Sequence, residues 1–143
     1  MPASIFDRLK MPPTAALLGW RLIELNIEEE WINVGFDAKP EFLNPAGNVQ
    51  GGILAAMLDD AMGPIVVAVT NAEAIAPTID LNVSFIRPVK PGPISVMAQI
   101  TNMRKQVVFL EGKLFDLNGK LCARAVASSL LVRVDPKKLF SAG

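Results

Sequence analysis

Apolar and polar residues alternate strictly over Thr78–Phe85, with Ile79, Leu81, Val83 and Phe85 in every second place. A period of two marks a half-buried strand and predicts these four side chains on the core face. The same rule reads residues 21–27 as a strand presenting Ile23, Leu25 and Ile27, and residues 31–37 as one presenting Ile32, Val34 and Phe36. The acidic run Glu28-Glu29-Glu30 fits the hairpin connection between them. Residues 94–103, 107–117 and 121–132 read as further strands. Asn118-Gly119 supplies the hairpin turn before the last of these, because both residues tolerate positive φ.

One segment breaks the strand pattern. Residues 53–69 are apolar nearly all round, interrupted only by Asp59, Asp60 and Pro64. This predicts a helix buried on all sides, with Pro64 kinking or shortening its last turns. The segment is read as too short and too charged to span a membrane. A loop rich in turn residues, 39–52, leads into it. Ser4 caps a short helix over residues 5–9, which Pro12-Pro13 ends. The order is two strands, one buried helix and four strands. One long antiparallel sheet wrapped around a single central helix satisfies it, an α+β architecture in one domain over residues 1–143.

Composition removes more chemistry than it adds. The chain has no histidine, so a histidine-driven triad, a histidine general base and a His-ligated zinc site are all excluded. Its single cysteine, Cys122, cannot form an intrachain disulfide or a metal cage, and no Cys-His nucleophile is available. Fourteen basic residues balance fourteen acidic ones, which gives no electrostatic case for nucleic acid or an anionic membrane. No signal-peptide pattern opens the chain, so the cytoplasm is the expected location. The hydrophobic fraction of 51% is slightly rich and suits a subunit interface.

The remaining chemistry gathers at the predicted helix. Asp59 and Asp60 are the only ionisable carboxylates between Glu41 and Glu73. Adjacent helix positions differ by about 100°, so at most one faces a given cavity. A buried carboxylate has a raised pKa and serves as a general base near neutral pH, whereas two solvated aspartates would carry no function. Gly51 and Gly52 stand at the helix start, where free N–H groups can polarise a carbonyl, or where two glycines simply permit a tight turn. Asn44 and Gln50 flank them as hydrogen-bond donors or loop caps. Arg87, Lys90, Arg104 and Lys105 follow strand ends and could meet phosphates.

The stretch Asn44, Gly47, Gln50-Gly51-Gly52 and Asp59 resembles the hotdog-fold acyl-CoA thioesterases of the phenylacetate-pathway (PaaI-like) type. Their pattern is an Asn, a Gly three residues later, His-Gly-Gly three further on, and an acid nine after the His. The strand Thr78–Phe85, closed by Arg87-Pro88, is also similar, and the likeness covers residues 20–132. The resemblance implies a hotdog fold and hydrolysis of an acyl-CoA thioester without metal or cofactor. Asp59 would be base or nucleophile, and the Gly51 N–H would polarise the carbonyl. Asn44 would position substrate or water, and Thr78 would orient the water. Gln50 and Gly52 would line the substrate, with the four basic residues on the CoA phosphates. It also implies a homodimer or homotetramer whose site pairs Asp59 of one copy with Gly51 of another. Gln50 stands where the family has His; it hydrogen-bonds but carries no proton. That difference motivates a second reading, a non-catalytic acyl-CoA- or lipid-binding hotdog module. A hotdog dehydratase would need the missing histidine.

Overall fold

The computed structural model describes residues 3–141. Six strands form one antiparallel sheet in the order β1-β2-β5-β6-β7-β4. They are β1 (Arg21–Asn26), β2 (Trp31–Ala38), β4 (Thr78–Phe85), β5 (Gly92–Met103), β6 (Val107–Phe115) and β7 (Leu121–Leu130). The helix α2 (Gly51–Val69) lies against the concave face, chiefly on β5 and β6. This is the α+β hotdog arrangement. In β2 the expected core face is in place, with Ile32, Val34 and Phe36 fully buried. The β6–β7 turn also forms as expected: Gly119 has φ 76, and Asp116 Oδ1 accepts from the N–H groups of Asn118 and Lys120.

One face of α2 supplies much of the core. Leu54, Met57, Leu58, Ala61, Met62, Ile65, Val66 and Ala68 are buried, at the three- and four-residue spacing that puts them on one stripe. At β6 the helix comes close to the sheet at Gly112. A Cβ on Gly112 would stand 2.8 Å from Met62 Cε and 3.2 Å from Leu58 Cδ2. The opposite face is not buried: Gly52 is exposed, and Ile53, Ala55, Ala56, Asp59 and Val67 are half-buried. The expectation of a helix enclosed on all sides is therefore corrected, since one curved sheet covers only one side. The helix is also long and apolar enough by length and composition to cross a membrane, contrary to the sequence reading, but its buried stripe is packed inside the sheet.

Other differences come from pairing. Residues 5–9 form only a 3₁₀ turn over Ile5–Asp7, capped by Ser4 as expected. Pro12-Pro13 starts a helix instead of only ending one: α1 (Pro13–Leu18) has proline in its first turn, where a missing N–H costs nothing. In β1 the register slips between Leu22 and Glu24, so Leu22 and Leu25 pack on the core while Ile23 is exposed; Ile27 is exposed because it lies in the turn beyond the strand. In β4 it slips between Thr78 and Asp80. Leu81 and Val83 pack on the core, but Ile79 and Phe85 are each 55% exposed, so half of the expected core face is lost. The last strand stops at Leu130, and β8 (Val132–Arg133) pairs instead with β3 (Ala74–Ile75). β4 is left at the open edge of the sheet.

Candidate active site

Two groups of residues stand at opposite ends of β4. At its start, Thr78 Oγ1 donates to Asp59 Oδ1 at 2.6 Å. Asp59 is half-buried on the uncovered side of α2, and Thr78 is exposed at the sheet edge. Asp60 has a different environment. Its Oδ2 is shut off from solvent and meets no hydrogen-bond partner among the described residues. Burial first, and the neighbouring charge of Asp59 second, push its pKa from 3.8 up to about 6. The two carboxylates thus have separate environments, as helix geometry requires.

That shift has a definite sign for stability. Between about pH 4 and 6 the folded chain holds a proton on Asp60 that the unfolded chain releases. Stability from this group is highest at low pH and declines as pH rises through that window. Asp60→Asn is therefore expected to stabilise the protein at pH 7.5 by about 1 kcal/mol, after allowing for solvent screening of a half-buried group. Urea denaturation at pH 7.5 and pH 4 measures this, with the gain vanishing at the lower pH.

The second group surrounds the start of α2. Asn44 Oδ1 accepts from the N–H groups of Ala46 and Asn48 at 3.0 and 3.1 Å, and the Asn44 N–H donates to the Asn48 carbonyl at 2.7 Å. Gly47, with φ 80, closes this small loop. The side-chain oxygen of Asn44 therefore caps the loop, and its amide nitrogen takes no part in that capping. The Gln50 N–H donates to the Phe42 carbonyl at 2.8 Å; its side chain is exposed and makes no capping bond. Among the described residues no acceptor meets the N–H of Gly51 or Gly52, as expected at a helix start.

Gly51 lines a cleft of about 360 Å³ with Asn44, Asn48, Leu54, Phe85, Ile86 and Arg87. The Phe85 ring lies over Gly51, where an added Cβ would stand 3.1 Å from Cζ. Gly52 has open space around it, so sterics do not demand glycine there. Arg87 donates to the Leu121 carbonyl at 2.9 Å and Lys90 to the Gly47 carbonyl at 3.3 Å, which sets both near the cleft. Arg104 and Lys105 are elsewhere, in the β5–β6 turn. The length of β5, about 40 Å, separates them from Lys90. The four basic residues do not cluster within one chain.

Gly51 and Asp59 are eight residues apart on one helix, about 12 Å along its axis. A single thioester carbonyl cannot reach both. The family model of the thioesterase superfamily matches residues 46–123, from the capped loop through α2 to the start of β7. The chain belongs to the thioesterase superfamily. As a member it is a thioester hydrolase. It is 33% identical to a phenylacetic acid degradation-related protein from Ralstonia eutropha, covering 88% of this chain and 95% of that one, with a TM-score of 0.83. The PaaI protein of the phenylacetic acid degradation operon of E. coli shares the fold at 22% identity, with coverage of 87% and 86% and a TM-score of 0.73. A thioesterase from Haemophilus influenzae does so at 18% identity, with coverage of 83% and 82% and a TM-score of 0.75. In this thioesterase the matched segment contains Gly51, Asp59, Thr78 and Arg87, while Asn44 lies two residues outside it.

Sequence reasoning missed two residues at this site. Phe85 was assigned to the core, because alternation shows which residues share a side but not what covers that side. Nothing in the sequence pattern marks Trp20, whose indole reaches the Asp60 carbonyl on α2.

Proposed function

We propose that this thioesterase hydrolyses acyl-CoA in a site built by two copies of the chain. The observation that carries the reading is the placement of the two groups on the edge strand. Asp59 is bonded to Thr78 at the first residue of β4, and Gly51 lies under Phe85 at the last. An antiparallel pairing of two β4 edges, with the twofold axis between Leu81 and Asn82, would set Thr78 of one copy beside Phe85 of the other. Asp59 of one chain then faces the Gly51 N–H of its partner. The pairing satisfies the open edge and covers Ile79, Phe85 and the bare face of α2. It also brings the Arg104–Lys105 turn of one copy to the end that carries Arg87 and Lys90 of the other, where together they take the CoA phosphates.

The chemistry follows from this pairing. The Gly51 N–H, at the positive end of the α2 dipole, polarises the thioester oxygen and holds the oxyanion. Thr78 fixes one carboxylate oxygen of Asp59. The other takes a proton as water attacks the carbonyl carbon; if it instead attacks the carbonyl itself, the acyl–Asp59 anhydride that forms is hydrolysed by water, which supplies the proton. The C–S bond breaks, the thiolate recovers the proton, and free acid and CoA leave. Asn44 holds the acyl end through its amide nitrogen. Gln50 donates beside the carbonyl without taking part in proton transfer, so the missing histidine is not required.

A panel of acyl-CoAs of different chain length and aromaticity, followed by free-thiol release in metal-free buffer, tests this. Turnover on the order of 1–100 s⁻¹ with at least one member is expected. Tight binding by calorimetry with no thiol released from any member would overturn it in favour of an acyl-CoA-binding module. Sedimentation that shows only a monomer would overturn the two-copy site.

A further inference from the structure

Pro64 lies inside α2 and has no N–H to donate. In an α-helix that N–H would meet the carbonyl four residues earlier, which belongs to Asp60. The proline ring also crowds that carbonyl. The helix therefore has one missing rung, in the turn that carries Asp59 and Asp60. Trp20 fills it: the indole Nε1–H donates to the Asp60 carbonyl oxygen at 2.9 Å in a half-buried setting.

Several local features aim this indole. Gly19 ends α1 in the left-handed region at φ 75, and the Trp20 N–H folds back onto the Ala15 carbonyl. The ring then packs on Phe6 at 5.1 Å between centroids. The segment before α1 is held by the C-terminal end, where the Lys10 N–H donates to the Leu139 carbonyl and the Ser141 N–H to the Arg8 carbonyl.

We infer that Trp20 is a positioning residue for Asp59, replacing the rung Pro64 removes and so fixing the tilt of the helical turn from which Asp59 meets Thr78. The inference rests on Asp59 acting in thioester hydrolysis. Without the indole the Asp60 carbonyl would turn outward to water, as kinked helices do, and the adjoining Asp59 would tilt with it. A bond of 2.6 Å to Thr78 leaves little room for such a tilt.

The test is a pair of variants with opposite effects on the same carbonyl. Trp20→Phe keeps a ring against Phe6 and deletes the N–H. It is expected to lower kcat about tenfold with KM within about twofold. Adding Pro64→Ala restores a helical N–H to Asp60, so the double variant is expected to recover most of that loss. A protein for which Trp20 only fills space would show no such rescue. Slow hydrogen exchange at the Trp20 indole of the wild type, read by NMR, gives a check that needs no variant. Unchanged kcat in Trp20→Phe, a double variant no faster than Trp20→Phe, or fast indole exchange would each overturn the inference. Failure of the underlying catalytic reading is distinguishable, because it would show as an inactive wild type or an active Asp59→Asn.

Discussion

Asp59→Asn is expected to lower kcat for acyl-CoA hydrolysis about 10³-fold while KM stays within a few-fold. The substitution is nearly isosteric. The asparagine oxygen still accepts from Thr78 Oγ1, so the 2.6 Å contact that sets the side chain survives. What it loses is the ability to take a proton or to attack as an anion. The loss should therefore fall on the chemical step and leave substrate binding and assembly intact. Thiol release under saturating substrate, with sedimentation as the control for assembly, measures it. A variant within about tenfold of wild type would mean that another group performs the chemistry.

The second large effect is expected at the helix start, and its design exploits the first helical position. Proline is well tolerated there and carries no N–H. Gly51→Pro therefore deletes the proposed oxyanion donor, while Gly51→Ala adds the same Cβ beneath Phe85 and keeps the donor. Gly51→Pro should lose about 10²–10³-fold in kcat and Gly51→Ala far less. A two-copy site adds a sharper expectation. Mixing Asp59→Asn chains with Gly51→Pro chains should restore activity, because each mixed dimer contains one site with both a native Asp59 and a native Gly51. A mixture that stays inactive although subunits exchange would place both groups in one chain. The roughly 12 Å between them along α2 argues against that.

Much of this site was legible in the sequence because it is local. The spacing from Asn44 to Asp59 fixes a loop, a helix start and a carboxylate without reference to the rest of the chain. The buried run of β2 and the turn at Asn118-Gly119 are local in the same way. What failed to show depends on a partner. A bulge such as that at Ile79 is a property of two strands in register, and period-two reading of one strand passes over it. Phe85 belongs to a covered side only if a second copy covers it. β3 and β8 have two residues each, too few for any period. Thr78 reaches Asp59 across 19 residues and Trp20 reaches Asp60 across 40. Pro64 does say that the Asp60 carbonyl needs a donor from elsewhere, but only the packed structure names the indole.

The close approach at Gly112 bears on how substrate choice can change. Met62 and Leu58 press against that glycine and occupy the space between helix and sheet at that point. Under the two-copy reading the acyl tail lies along the seam between chains, beside residues that a lone subunit leaves uncovered. Chain-length preference could then drift through substitutions at positions such as Ile79 and Phe85, which contribute little to the core. Selectivity would evolve at the boundary between subunits, largely free of the packing constraints that hold each subunit together.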